Sequence, residues 1–224
     1  MDQYYSEKLS AAKLKRCYEI ASPRVKQYLK AEINHILTRV RSSDIILEMG
    51  CGYGRVIKYI CPHVQTVFGI DTSISSLKMA RYELHPCPNI HLARMNAVSM
   101  GFADKIFDIT ICIQNGLSAF KVDQAALVKE AVRVTRSGGR VLFSSYSEKF
   151  WNDRLDWFRM QADEGLLGKI DEEQTGHGTI VCDDGFRAVT VSPEEFISLT
   201  EKAGVTAEIT EVDNSSIFCE IIVE

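Results

Sequence analysis

No stretch of this 224-residue chain approaches the roughly 20 consecutive apolar residues that a membrane-spanning helix needs. The opening residues, MDQYYSEKLSAAKLKRCYEI, lack the apolar core of a secretory leader, so a cytoplasmic location is expected. No two of the seven cysteines (Cys17, Cys51, Cys61, Cys87, Cys112, Cys182 and Cys219) stand in a C-x-x-C spacing, and their number is odd. Neither a disulfide framework nor a zinc knuckle is therefore expected. Most of the cysteines should be buried thiols in reducing surroundings, and no metal site is expected. Internal repeats and low-complexity tracts are absent. So is a GK[ST] sequence, which excludes a phosphate-binding loop of that type. An extreme charge is missing too. The net charge is −4, so the chain as a whole is not a nucleic-acid-binding polycation.

What is present suits one domain with a sizeable core, expected to span 1–224. The chain is 46% hydrophobic and 25% charged, which indicates neither disorder nor a fibre. The charge is uneven. Residues 1–41 carry nine Lys/Arg against four Asp/Glu, whereas residues 150–195 carry four against eleven. These are either two solvated helical faces or two covers of opposite sign that meet over a shared cleft.

Residues 6–21 and 23–41 read as helices, the second started by Ser22-Pro23. Short apolar runs then begin at Asp44, Thr66, Ile90, Phe107 and Arg140, the last after a Gly138-Gly139 turn. Helix-like segments lie between them at 54–60, 73–83 and 123–135. Such alternation predicts βαβ units and a mostly parallel sheet, with ligands beyond the carboxyl ends of the strands. Residues 150–191 interrupt it with an amphipathic helix from Phe150 to Ala162 and a hairpin over 178–191, turning at Asp184-Gly185. A helix from Pro193 to Ala203, capped by Ser192 and closed by Gly204, precedes two strands at 205–213 and 217–223, expected to be antiparallel neighbours.

The first strand runs into Glu48-Met49-Gly50-Cys51-Gly52-Tyr53-Gly54. A dinucleotide fingerprint, G-x-G-x-x-G, would need glycine where Arg55 stands. The second strand ends at Asp71, seventeen residues after Gly54. A carboxylate there can accept hydrogen bonds from both hydroxyls of a ribose, or it can cap the helix that starts near Ser73.

Together these residues resemble the Rossmann-like (class I) methyltransferases that use S-adenosylmethionine. The resemblance covers roughly 44–145 and recurs weakly in the final two strands. Ile46-Leu-Glu-Met-Gly-Cys-Gly-Tyr-Gly matches the first motif, and Phe68-Gly-Ile-Asp-Thr-Ser the second. Met95-Asn96-Ala97 stands where the family usually has Asp-Ala. Phe107-Asp108-Ile-Thr and Arg136-Ser-Gly-Gly-Arg-Val-Leu match the fourth strand and the entry to the fifth.

The resemblance implies an α/β fold: a seven-stranded, mostly parallel sheet with helices on both faces and an antiparallel last strand. N-terminal helices and an insertion after the fifth strand would cover it. In those terms the chain divides into an N-terminal cap (1–41), a cofactor-binding core (42–149), a lid-like insertion (150–191) and a C-terminal helix with the last two strands (192–224). The cofactor would be S-adenosyl-L-methionine, with S-adenosylhomocysteine as product. Gly50, Gly52 and Gly54, with Cys51 and Tyr53 between them, would lie against its methionine part, and Glu48 near its ammonium. Asp71, beside Thr72, would hold the ribose. Asn96 and Ala97 would read the adenine, and Gln114 would follow the fourth strand near the methyl group.

Methyl transfer from a sulfonium needs alignment more than a dedicated base, so the lack of an obvious catalytic dyad is no objection. Tyr146, Asn115 and His177 are the candidate catalytic residues, although an exposed loop histidine would look the same as His177. Tyr5, Asn115, Tyr146 and Trp151 are the candidate substrate contacts. Trp151, Trp157 and Phe158 either wall a pocket or form the core of their helix. The sequence after the fourth strand, Gln114-Asn115-Gly116-Leu117, lacks the Asn/Asp-Pro-Pro-Tyr type found in many nucleic-acid and amide methyltransferases. A small-molecule acceptor methylated at O or N is therefore expected, without nucleic acid or membrane as partner. A homodimer is left open. The alternatives are RNA or protein methylation docked through the basic 8–30 segment, and a cofactor-binding module without turnover.

Overall fold

The computed structural model describes residue 4 and residues 8–224. Tyr5 lies outside the described residues. Two helices come first, α1 (Ala11–Glu19) and α2 (Pro23–Leu37). Ser22 caps α2 by accepting from the Val25 N–H, with Pro23 in its first turn. Both helices are shorter than their apolar spacing predicts. Ser10 is extended, so α1 starts only at Ala11, and the chain leaves α2 at Thr38.

The alternation follows: β1 (Ile45–Met49), α3 (Ile57–Ile60), β2 (Thr66–Asp71), α4 (Ile74–Glu83), β3 (Ile90–Arg94), β4 (Phe107–Cys112), α5 (Gly116–Ala119), α6 (Gln124–Val134) and β5 (Thr135–Tyr146). Then come α7 (Trp151–Asp163), the hairpin β6 (Thr179–Val181) and β7 (Arg187–Val189), α8 (Pro193–Ala203), β8 (Glu208–Val212) and β9 (Ser216–Ile222). Of the segment 54–60 only α3 is regular helix. The predicted turn at Gly138-Gly139 is instead a register shift inside β5, which already starts at Thr135.

The main sheet has seven strands in the order β3-β2-β1-β4-β5-β9-β8. Its first five are parallel, and β9 is antiparallel to both β5 and β8. The chain order reverses between β1 and β4, and a crevice opens at such a point. Side-chain alternation assigns the two faces. Leu47 and Met49 pack with Leu127, Val128, Ala131 and Phe196 on one side. Ile46, Ile109 and Ile111 pack with Ile57, Ala80 and Leu84 on the other. Every residue of β4 is buried, which explains its uninterrupted apolar run.

A third cluster joins α1, α2, α7 and the hairpin above the carboxyl ends of the strands, through Cys17, Tyr28, Trp157, Phe158 and Phe186. The two covers of opposite charge meet there, with Arg16 2.9 Å from Glu164. Trp157 Nε1 also donates to the Cys17 carbonyl at 2.8 Å. Of the described helices, none is long and apolar enough to cross a membrane.

The cysteine expectation needs one correction. Five cysteines are buried thiols, but Cys61 and Cys87 are joined by a disulfide. The turn after α3 and the loop before β3 bring their Cα atoms to 6.3 Å, a proximity invisible at a separation of 26 residues.

Candidate functional site

The sheet delivers its polar side chains to one cavity of about 800 Å³ beyond the carboxyl ends of β1, β2, β3, β4 and β5. The glycine loop forms its floor. Gly50 has φ +73°, and a Cβ there would collide with the Phe120 ring. The N–H groups of Gly50 and Cys51 both donate to the Ile70 carbonyl, at 2.8 and 3.0 Å, which ties the loop to the end of β2.

Asp71 completes the tie. One carboxylate oxygen accepts from the Gly52 N–H at 2.9 Å and the other from the Ser73 N–H at 2.7 Å. Ser73, not Asp71, caps α4, through the Ser76 N–H. Burial pushes the Asp71 carboxyl above its ordinary range, and its backbone hydrogen bonds oppose that shift.

Glu48 is 5% exposed, and its Oε2 has no hydrogen-bond partner among the described residues. Burial pushes its carboxyl up to about 8, with Arg55 nearby pulling the other way.

Ten of the eleven expected cofactor residues line this one cavity: Glu48, Gly50, Cys51, Gly52, Tyr53, Asp71, Thr72, Asn96, Ala97 and Gln114. Gly54 does not. Its Cα faces Leu84, where a side chain of its own would collide. Asn96 Oδ1 accepts from the Val98 N–H at 3.2 Å, which braces the turn after β3.

The candidate catalytic and substrate residues separate. Tyr146 lines the cavity, with the Arg154 guanidinium 4.2 Å from its ring. Asn115 does not reach it. It is buried at φ +61°, donates to the Val189 carbonyl at 2.9 Å and accepts from Ser145 Oγ at 2.8 Å. Those bonds brace the hairpin against β5. His177 is exposed in the loop before β6 and does not line the cavity either. Trp151 stands at the start of α7, outside the cavity and half-buried. Trp157 and Phe158, one turn and a half further on, both line it and pack in the cover. The two alternatives for the aromatic stripe are thus both realised.

Several lining residues carried no signal in the sequence. Tyr18 of α1 donates to Gln114 Oε1 at 3.0 Å, and Arg55 donates to the same oxygen. The Arg55 guanidinium also lies 4.7 Å from the centre of the Tyr18 ring. Gln161 and Phe186 complete the wall. Arg55 directly follows the glycine loop, and that adjacency was the one available hint of its direction. Tyr18 and Phe186 arrive through tertiary packing. Among the described residues, no group of three or more His, Cys, Asp or Glu is placed to hold a metal ion.

Residues 46–139 match the model of a methyltransferase-domain family, which spans the strands and loops that build this cavity. That match covers less than half of the chain and makes this segment similar to methyltransferase domains. No curated protein matches the chain. Solved structures show its fold. A protein of Pyrococcus horikoshii superposes with a TM-score of 0.69 at 18% identity, over 96% of this chain and 100% of that one. The N-methyltransferase NodS of Bradyrhizobium japonicum, in complex with S-adenosyl-L-homocysteine, gives 0.64 at 14% identity, over 98% and 96%. The [4+2]-cyclase SpnF gives 0.61 at 12%, over 86% and 80%. The fold is therefore shared by proteins of different reactivity, and the acceptor must be argued from the site.

Proposed function

We propose that the chain transfers a methyl group from S-adenosylmethionine to an oxygen or nitrogen of a small-molecule acceptor. One observation carries this reading. The cavity is continuous from the glycine loop to an aromatic end roofed by α1, α7 and the hairpin, and its volume falls in the range of small-ligand sites.

The cofactor supplies a methyl group already activated on a sulfonium. The residues present suit it. Gly50 and Gly52 leave the loop backbone bare, and the unpartnered Glu48 Oε2 is an acceptor for an ammonium. Asp71 has lone pairs left for two ribose hydroxyls, in an orientation set by the Gly52 and Ser73 N–H groups. Asn96 and Ala97 stand on the adenine side beyond β3, with Thr72 beside Asp71. Cys51 and Tyr53 shape the loop between the glycines. At the other end Gln114 is held by Tyr18 and Arg55, and Tyr146, Trp157 and Phe158 exclude water from the acceptor. Burial raises the Tyr146 phenol well above its ordinary value, so it acts as a donor that positions the acceptor and not as a base.

Four of the seven Lys/Arg residues of the basic 8–30 segment are engaged within the fold and so are less available for RNA or protein docking. Lys15, Arg16 and Arg24 are paired with Glu83, Glu164 and Asp213, and Lys8 donates to the Asp184 carbonyl. The test is to incubate purified protein and methyl-labelled cofactor with separate low-mass, RNA and protein fractions of a cell extract. Label should enter the low-mass fraction. Label in RNA or protein alone would replace this reading, and cofactor binding without transfer would make the chain a binding module.

A further inference from the structure

We propose that Arg55 is an anion-binding residue of the cleft and that the acceptor carries a carboxylate which it holds. The inference rests on the methyltransferase reading and names its substrate class. A half-buried guanidinium lining a cavity costs free energy unless its charge and donors are matched. Here they are matched only in part. Among the described residues no carboxylate lies within 4 Å of Arg55. Among those residues Gln114 Oε1 is its one acceptor, and the Tyr18 ring lies over the guanidinium. Of the five N–H donors of a guanidinium that lines the cavity, most therefore have no partner among the described residues. A planar fork with free donors matches a carboxylate in a bidentate pair.

Glu32 and Glu48 are the carboxyls with influence on Arg55, and both stay outside ion-pair distance. Glu32 spends one oxygen on Ser144 and Ser216, at 2.6 and 2.9 Å, and burial pushes its carboxyl up as it does that of Glu48. Neither therefore forms an ion pair with Arg55.

Two carboxylates come to such a cleft, that of the acceptor and that of the methionine part of the cofactor. The sheet order favours the first. Asp71 and Asn96 follow β2 and β3, on one side of β1. Arg55 is anchored on Gln114, which follows β4, next to Tyr146 at the end of β5, on the other side. The rings of Tyr18, Tyr146 and Trp157 surround that end, so the acid it suits is small and aromatic or apolar.

The test uses the full chain saturated with S-adenosylhomocysteine. Thermal-shift titrations compare phenylacetate and indole-3-acetate with their neutral amides, on wild type, Arg55→Lys and Arg55→Gln. Calorimetry measures S-adenosylhomocysteine and 5′-methylthioadenosine, which lacks the amino-acid part, on the same proteins. At least one acid should bind wild type tenfold or more tighter than its amide. Arg55→Gln should abolish that preference, Arg55→Lys should keep part of it, and S-adenosylhomocysteine affinity should change less than threefold. Equal binding of acids and amides by wild type would overturn the proposal. So would an Arg55→Gln protein that loses tenfold or more in S-adenosylhomocysteine affinity with methylthioadenosine unchanged, because the carboxylate would then be the cofactor's. A wild type that binds no S-adenosylhomocysteine would instead remove the reading beneath it.

Discussion

Replacing Glu48 by glutamine keeps the shape of the side chain and removes its ability to ionise. The wild-type carboxyl is buried, with one oxygen unpartnered, and burial lifts it from 4.5 to about 8. The folded protein thus holds a proton that the unfolded chain releases above about pH 4.5. Stability from this group is fully present below that pH and is lost as pH rises through about 8. At about 1.4 kcal/mol per pH unit, the loss is roughly 3 kcal/mol at pH 7 and approaches about 5 kcal/mol above pH 8. Glu48→Gln does not carry this loss. Its Tm should exceed that of wild type by about 6–12 °C at pH 7, from roughly 2–4 °C per kcal/mol for a chain of this size. The two Tm values should converge near pH 4.5. Saturating S-adenosylhomocysteine should close the gap, because its ammonium compensates the wild-type carboxylate and not the amide. Scanning calorimetry from pH 4.5 to 8.5, with and without that ligand, checks both parts. Parallel Tm profiles for the two proteins would refute the reasoning.

Asp71→Ala should weaken S-adenosylhomocysteine binding by about 1.5–3 kcal/mol, roughly 10- to 150-fold in calorimetry, for hydrogen bonds lost to a charged acceptor. It should also lower the Tm, because the Gly52 and Ser73 N–H groups lose their acceptor. Asn115→Ala should cost about 2 kcal/mol in urea unfolding through the lost bonds to Val189 and Ser145, and leave S-adenosylhomocysteine affinity within about twofold. His177→Ala should leave Tm within about 2 °C, for a change under about 0.5 kcal/mol, and methyl transfer unaltered, because His177 does not line the cavity.

Most of the sheet was legible because strands buried on both faces read as short apolar runs, and the turns between them carry chemical markers. Gly50, Gly52 and Asp71 could be named from the sequence for that reason, and all three line the cavity. The helix over Pro193–Ala203 was legible from its Ser192 cap and Gly204 stop, and both devices are present, with a reciprocal bond from Glu195. The aromatic end of the cavity was much less legible. Tyr18, Arg55 and Gln161 come from three elements that meet only through packing. Asn115 and Trp151 stood in suggestive positions along the chain, yet a left-handed backbone turned the first into the fold and the start of α7 set the second outside. The Cys61–Cys87 bond was missed because no local pattern links the turn after α3 to the loop before β3.

The most direct check is a crystal structure of the chain with S-adenosylhomocysteine. The ribose hydroxyls should lie on the Asp71 carboxylate, the adenine against Ala97, and the amino group within hydrogen-bond distance of Glu48 Oε2. Electron density for the ligand outside the glycine-floored cavity, or an Asp71 carboxylate still bound only to Gly52 and Ser73 with no sugar upon it, would contradict the account.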